Sequence, residues 1–222
     1  MSINSSYNRF CLPAFILVGL GLIMIMTEST SGCLEDFSLH SEEADSVLES
    51  STLLGLPDVP VPEDNPLTQE KVALGKRLFF DKRLSEDGST SCATCHRPER
   101  GFSDGLSVSQ GVHGRKGRRN TPTLVNVAFQ PYQFWDGRAS SLEDQALAPL
   151  QNRVEMGPSV EHALRRLNAI PEYRKQFQRV FRGPVTRIHL AQALASYERT
   201  IVAGNSAYDR FAAGSQIGRA HV

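Results

Sequence analysis

Residues 92–96 place two cysteines and a histidine in the order Cys-x-x-Cys-His. Two thiols at this spacing can form thioether bonds to the two vinyl groups of haem, and His96 then reaches the iron as its proximal ligand. A redox-active dithiol normally opens a helix in a βαβ unit, which the sequence does not show. A zinc site needs a second Cys or His pair at short spacing, which is also missing. The spacing therefore predicts covalently bound haem c held by Cys92, Cys95 and His96.

A second axial ligand would be a methionine or a histidine. Outside the N-terminal residues 1–33 the sequence has one methionine, Met156, and besides His96 it has histidines at positions 40, 113, 162, 189 and 221. His113 lies between Gly111 and Gly114, and the freedom of these glycines would let a ligand there leave the iron. A lone histidine in the basic segment HGRKGRR is also typical of an exposed surface residue. The residues alone leave both interpretations open.

Helical patterns flank a long irregular segment. The first helix, within residues 65–81, is predicted to begin with Asn65 as its cap and Pro66 at its first position. Gly75 would let another element or a flat cofactor approach it closely. Residues 81–134 show little periodicity, and so long a loop in a compact domain is unusual unless it wraps something.

Further helices are predicted within 141–150, 159–169, 171–181 and 186–204, and the first of these four ranges begins with a Ser-x-x-Asp capping pattern at Ser141. The last of them carries an apolar stripe made of Ile188, Ala191, Leu194 and Ile201. No convincing strand is present. The fold class is therefore predicted to be all-α, with long loops.

The N-terminus has the pattern of a targeting segment. Arg9 precedes an apolar run from Cys11 to Met26 that is slightly short for a membrane span. The segment TSGC, which ends at Cys33, resembles a bacterial lipoprotein cleavage site, although Thr30 replaces the usual aliphatic residue. Residues 1–33 are therefore predicted to be a signal peptide, a lipoprotein signal that leaves Cys33 lipidated, or an uncleaved anchor. Each alternative places the folded domain in the periplasm.

Composition divides the rest of the chain. Residues 34–64 are first acidic and then Pro-rich, which predicts a tether, and residues 65–215 are predicted to form the haem domain. The 222 residues include 24 basic and 24 acidic side chains, and this balance gives no indication of a nucleic-acid binder.

Several uncommon blocks occur in a characteristic order: ALGKRLFFDKRLS, SCATCH, GRRNTPTLVN and FWDGRASSLEDQALAPLQNRVEMG. From about residue 65 to 213 the chain resembles the N-terminal half of bacterial dihaem cytochrome c peroxidases, within the wider MauG-type family. The resemblance implies an all-α, cytochrome c-like haem domain. It also implies that this N-terminal haem reacts with peroxide, while a second haem domain, absent from this sequence, relays electrons.

The resemblance also implies roles for individual residues. His113 matches a distal histidine ligand that many members release on reductive activation. Trp135 matches the aromatic residue between the two haems, and Asn120 matches one ligand of a calcium ion between the domains. Gln145 and Glu155 match the polar pair that lines the peroxide pocket.

The implied reaction is reduction of hydrogen peroxide to water with electrons from a small cytochrome c or a cupredoxin. One alternative is a MauG-type oxidase of a protein side chain, against which His113 argues. The other is a monohaem electron carrier, against which Gln145 and Glu155 argue, because a carrier needs no polar peroxide pocket. The resemblance further suggests a homodimer when the protein is intact.

The last residues, 216–222, match nothing expected. Codons ATC GGA AGA GCA CAC GTC would encode Ile-Gly-Arg-Ala-His-Val, and that string is the start of a common sequencing adapter. We therefore expect that the reading frame ran into adapter and that the gene continues with the second haem domain. The fragment lacks the domain that relays electrons and is therefore expected to be inactive alone.

Overall fold

The computed structural model describes residues 53–215. Their seven α-helices are α1 (Gln69–Phe79), α2 (Cys92–Cys95), α3 (Leu142–Leu147), α4 (Val160–Ala169), α5 (Pro171–Phe181), α6 (Arg187–Glu198) and α7 (Ala207–Ala212). Within these residues the only extended pairing is three isolated bridges, Arg97 with Ser103, Gln110 with Lys116, and Gln133 with Ala139. The predicted all-α fold with long loops is confirmed.

Helices α1 and α6 form the centre of the core. Leu78 and Phe79 of α1 and Leu190 of α6 are fully buried. Gly75 lies where the two helices meet, and a Cβ atom there would stand 1.9 Å from the carbonyl oxygen of Ala193. The predicted close approach at Gly75 is therefore confirmed, and the approaching element is a helix backbone.

The start of α1 differs from its prediction. The helix begins at Gln69, because the Thr68 hydroxyl caps it by accepting a hydrogen bond from the Lys71 amide at 3.3 Å. The Asn65 side chain instead donates to Glu143 of α3 at 2.7 Å and accepts from the Lys71 ammonium at 3.1 Å. The Asn65 cap was wrong because tertiary partners use that side chain.

Helix α6 is shorter than its pattern and differently faced. It ends at Glu198, so Ile201 lies beyond it, and Ile188 is 67% exposed. Ala191 and Leu194 are buried as predicted. By contrast, Ser141 caps α3 as predicted, with its hydroxyl accepting from the Asp144 amide at 3.1 Å.

The long segment between α1 and α3 is irregular, as predicted, and is interrupted by α2 and by short 3-10 turns. Side chains fix its backbone: the Ser103 hydroxyl donates to the Thr121 carbonyl at 2.8 Å. The Thr121 hydroxyl in turn donates to the buried Asp104 carboxylate at 2.9 Å, and that carboxylate also accepts from the Leu106 amide at 2.9 Å. These bonds shape one wall of a large cavity.

Residues 53–64, the described end of the predicted tether, contact the domain. The Leu54 carbonyl accepts from the Asn205 amide at 2.7 Å, and the Pro60 carbonyl accepts from Arg199 Nε at 3.2 Å. The predicted signal segment, Cys33, most of the tether and the adapter-like residues 216–222 lie outside the described residues. Among the helices of residues 53–215, none is long and apolar enough to cross a membrane.

Candidate haem site

A cavity of about 860 Å³ lies between the long loops and the helices. Seven of the eight residues singled out from the sequence line it, namely Cys92, Cys95, His96, Asn120, Trp135, Gln145 and Glu155. They are drawn from segments up to 63 positions apart in the chain, between Cys92 and Glu155. His113 is the one that does not line the cavity.

The attachment segment is built by a single helical turn. The Ser91 amide donates to the Thr94 hydroxyl at 2.9 Å and so starts α2, and the His96 amide donates to the Cys92 carbonyl at 2.8 Å and closes it. Residues three apart lie on one side of a helix, so Cys92 and Cys95 share a face. His96 follows directly, and its ring lies beside Phe79 of the core, with centroids 6.4 Å apart.

His96 has the tautomer of a metal-binding histidine. Its Nδ1 lies 3.0 Å from the Phe102 carbonyl oxygen. A carbonyl can only accept, so Nδ1 carries the proton and the lone pair of Nε2 is left for a metal. Burial lowers the pKa of His96, although the Phe102 and Pro122 carbonyls and Asp104 raise it in part. The net shift favours the neutral ring, which is the form that binds a metal.

The two thiols do not have the properties of a redox pair. Burial raises the pKa of Cys92, and Glu198 and Cys95 add to the effect. Burial also raises the pKa of Cys95, with further contributions from Asp104 and Glu155. Reactive dithiols have lowered pKa values, because the thiolate is the nucleophile. The environment therefore fits cysteines that serve as attachment points.

The wall of the cavity carries an excess of positive charge. Its basic residues are Lys116, Arg118, Arg119 and Arg138. Asp136 accepts from two of them, Arg119 at 3.1 Å and Arg138 at 2.7 Å. A haem has two propionate carboxylates, which such a wall suits.

The donor set also fits haem better than a bare metal ion. Within residues 53–215 no three His, Cys, Asp or Glu side chains are grouped so that they could hold a metal by themselves. A metal at His96 therefore needs ligands that a cofactor brings with it. The volume, the two cysteines, the His96 tautomer and the basic wall together fit covalently bound haem.

Gln145 and Glu155 lie on different segments but line the same cavity. Gln145 is in α3, and Glu155 is in the loop that follows it, where Glu155 Oε1 accepts from Asn152 Nδ2 at 2.6 Å. Burial raises the pKa of Glu155, with Arg138 and Asn152 opposing the shift. This half-buried carboxyl can therefore both take and give a proton in an environment that favours its neutral form.

Trp135 and Asn120 meet at the edge of the cavity. Trp135 is 60% exposed, and its indole Nε1 donates to the Asn120 carbonyl at 3.1 Å. The wide exposed face of the only tryptophan in the sequence is available for another surface. The calcium role of Asn120 stays a prediction.

His113 lies on the outside of the cavity wall. Its backbone is left-handed, with φ 55°, and its amide donates to Asp87 Oδ2 at 3.0 Å. Its ring is half exposed, with Nδ1 3.5 Å from Asp87 and Nε2 3.7 Å from Glu86. The role of His113 as an axial ligand stays a prediction, and it requires the ring to leave these two carboxylates.

The loop of His113 is nevertheless tied to Glu155. The Val112 amide donates to the Glu155 carbonyl at 3.0 Å, and a Cβ atom at Gly111 would lie 2.1 Å from the Val154 carbonyl oxygen. Only glycine fits this contact. A movement of the His113 ring into the cavity would therefore take place beside the Glu155 segment.

Sequence reasoning missed one notable residue of the wall, Glu198. It ends α6 between Tyr197 and Arg199, is 4% exposed and lines the cavity. An acid within an otherwise apolar helix face was the only available signal. The basic wall residues were noticed as a charged segment, but their convergence with Arg138 depends on the fold.

An all-α domain whose loops surround a cavity with a Cys-x-x-Cys-His segment in its wall is a cytochrome c-like haem domain. The family model described as di-haem cytochrome c peroxidase matches residues 69–217, and the chain belongs to that family. Membership implies covalently bound haem c.

Curated relatives carry two kinds of name. The methylamine utilization protein MauG of Methylorubrum extorquens is 47% identical over 160 residues, which cover 71% of this chain and 45% of that protein. The cytochrome c551 peroxidase of Pseudomonas aeruginosa is 40% identical over 164 residues, covering 70% and 47%. The chain thus spans about half the length of the curated relatives it matches.

A solved structure shows the same fold. The crystal structure of a MauG-like protein associated with microbial copper homeostasis aligns with a TM-score of 0.67 and 35% identity. The alignment covers 73% of this chain and 51% of that chain. The fold class predicted from the sequence is confirmed by this neighbour.

Proposed function

We propose that this chain is the peroxide-reacting haem domain of an enzyme that reduces hydrogen peroxide to water. The observation that carries the proposal is that one cavity contains both a haem attachment segment and the polar pair Gln145 and Glu155. An electron carrier needs only the first of these. Relatives named cytochrome c peroxidase support the same activity.

When bound, haem would supply a redox-active iron at His96 Nε2 that reacts with peroxide. The chain supplies the rest. Phe102 fixes the orientation of His96 through Nδ1. Gln145 can hold a peroxide by hydrogen bonds without titrating, because an amide both donates and accepts.

Glu155 is the group that moves protons. Cleavage of the O–O bond needs a proton taken from one peroxide oxygen and returned to the other, which then leaves as water. Overall, one peroxide, two electrons and two protons give two water molecules. Asn152 holds Glu155 Oε1 at 2.6 Å and leaves Oε2 for substrate.

The test is the rate at which hydrogen peroxide oxidises the reduced haem of the chain in a single turnover. This measurement needs no second haem and no protein donor. Glu155→Gln is expected to slow the reaction by about 100-fold or more, the usual contribution of a general acid–base. The wild-type rate should rise with pH through the raised pKa of Glu155, since the carboxylate takes the first proton, and the variant should lose that dependence.

The matched control is Glu161→Gln, an exposed acid of α4 whose side chain is 59% exposed. It should react like the wild type. Equal rates for the wild type and Glu155→Gln would refute the role of Glu155, and no reaction with peroxide in either protein would favour an electron carrier.

A second candidate is a dihaem oxidase of a protein side chain. It is favoured by the 47% identical MauG relative and by the position of His113 outside the cavity wall. His113→Gly distinguishes the two. If His113 is an axial ligand of the iron in the resting protein, the variant should react with peroxide without prior reduction. If the variant still requires reduction before it reacts, His113 is not that ligand.

The remaining proposals concern the surroundings of the domain. We propose periplasmic export, with lipidated Cys33 or an uncleaved N-terminal segment as the membrane anchor, and a small cytochrome c or cupredoxin as electron donor. The exposed face of Trp135 suits contact with a second haem domain, and Asn120 beside it suits a calcium site shared with that domain. A homodimer of the intact enzyme completes this proposal.

A further inference from the structure

Glu198 is a buried acid that the proposed reaction does not use. It is 4% exposed at the end of α6 and lines the haem cavity, and its Oε2 has no hydrogen-bond partner among the described residues. Buried carboxylates are nearly always paired or hydrogen-bonded. An acid in this position is therefore a functional candidate.

The cation next to Glu198, Arg199, is committed to other partners. Arg199 Nη1 and Nη2 donate to the two oxygens of Glu143 at 2.7 and 3.0 Å, and Arg199 Nε donates to the Pro60 carbonyl.

The other titratable groups around Glu198 give it no positive partner. They are Tyr197 beside it in the chain, Cys92 of the attachment segment and Glu143 of α3, of which the last repels a second carboxylate. Burial raises the pKa of Glu198 to about 8, with Glu143 adding to the shift and Arg199 opposing it. The carboxyl is therefore protonated at neutral pH.

We propose that Glu198 couples reduction of the haem in this cavity to uptake of one proton. One electron from a small-molecule reductant enters the haem, and in the pH range where Glu198 is ionised one proton from the solvent binds its carboxylate. The inference rests on one part of the proposed function, namely that the cavity holds haem. Glu198 sets the midpoint potential of the haem through its charge. It does not touch peroxide and is therefore not a catalytic residue.

The physical reason is mutual repulsion. Reduction adds a negative charge to the cavity, which disfavours a carboxylate in its wall and favours the neutral acid. By reciprocity, a carboxylate makes reduction harder than a neutral acid does. The midpoint potential should then fall as pH rises, in the range where Glu198 loses its proton.

The experiment is a potentiometric titration of the full chain with haem attached, repeated between about pH 6 and pH 10, a range centred on the pKa of about 8. For a one-electron couple, a tenfold change in the equilibrium constant corresponds to about 59 mV. The wild-type potential should fall around pH 8 with a slope approaching that value per pH unit. Glu198→Gln should keep the low-pH potential of the wild type throughout this range.

Two variants make the result specific. Glu161→Gln, at an exposed position of α4, should retain the wild-type slope. Glu155→Gln removes the other cavity acid with a raised pKa. A slope that persists in Glu198→Gln and disappears in Glu155→Gln would overturn the inference and assign the coupling to Glu155.

A measurement on the wild type alone covers the case in which Glu198→Gln fails to fold. Redox-difference infrared spectra at pH 8 should show the carbonyl band of a protonated carboxylic acid growing on reduction. A spectrum without this band overturns the inference. A wild-type chain that binds no haem overturns the proposed function, whereas a haem protein with a pH-independent potential overturns the role of Glu198 alone.

Discussion

The helical core and the loop-built wall of the cavity are held together in different ways. In the core, α1 and α6 are in contact along their backbones at Gly75, and the surrounding side chains are apolar and buried. In the wall, short polar side chains such as Ser103 and Thr121 fix an irregular backbone by single hydrogen bonds. The core contains its own stabilising contacts, whereas the wall encloses the volume that a cofactor fills.

This difference separates stability from function. A packed apolar core gains free energy from burial whether or not haem is present. A polar wall around an 860 Å³ cavity gains little until that volume is filled. We therefore expect the wall to depend on haem and the core to be largely independent of it.

The largest expected effect follows removal of both attachment cysteines. Cys92→Ser combined with Cys95→Ser should abolish covalent haem completely, because no thioether bond can form. Amides of the wall, including those of Thr121 and Leu106, should then exchange with solvent about 100-fold faster, while those of α6 change little. Hydrogen exchange followed by mass spectrometry measures both regions in one sample.

The single variant Cys95→Ser is the matched control, since one thioether bond remains. It should keep haem and intermediate protection of the wall. Equal acceleration of exchange in the core and the wall would contradict the contrast between them.

The next effect is expected in the core. Gly75→Ala places a Cβ atom against the Ala193 carbonyl and should lower the free energy of unfolding by about 2 kcal/mol, although alanine favours helices over glycine. Urea denaturation measures the change. Ala73→Val adds bulk at an exposed position of the same helix and should cost about 0.6 kcal/mol or less.

A stabilised Gly75→Ala protein would show that helix propensity outweighs the close contact. The packing of α1 against α6 would then be looser than the structure indicates.

The smallest effect is expected in the wall. Thr121→Val keeps the side-chain shape but removes the hydrogen bond to the buried Asp104, which should cost about 1–2 kcal/mol. Loss of this hydrogen bond should be visible as faster hydrogen exchange of the Leu106 amide, which donates to the same Asp104 carboxylate. Ser107→Ala, at an exposed position of the same loop, should leave that exchange unchanged.

The core was more predictable from sequence than the wall. Local rules identified the Ser141 cap and the close approach at Gly75, because both depend on residues near in the chain or on the absence of a side chain. The Asn65 cap and the exposed face of Ile188 were mispredicted, since tertiary contacts decided them. The pattern correctly predicted that each helix exists. It misplaced the start of α1 and the buried face of α6.

The site shows the same division. The Cys-x-x-Cys-His spacing by itself predicts covalent haem attachment, because one helical turn positions both thiols and the histidine. That Gln145 and Glu155 line the same cavity follows from the family resemblance and the fold, and no local pattern shows it. Glu198 could not be assigned at all, because its role depends on Arg199 being held by Glu143.

The most direct test of the central claim is a crystal structure of the full chain with haem attached. We predict thioether bonds from Cys92 and Cys95, iron bound by His96 Nε2, and Gln145 and Glu155 on the opposite face of the haem. A haem with Gln145 and Glu155 on the same face as His96, or outside the cavity, would contradict the claim that this domain reacts with peroxide.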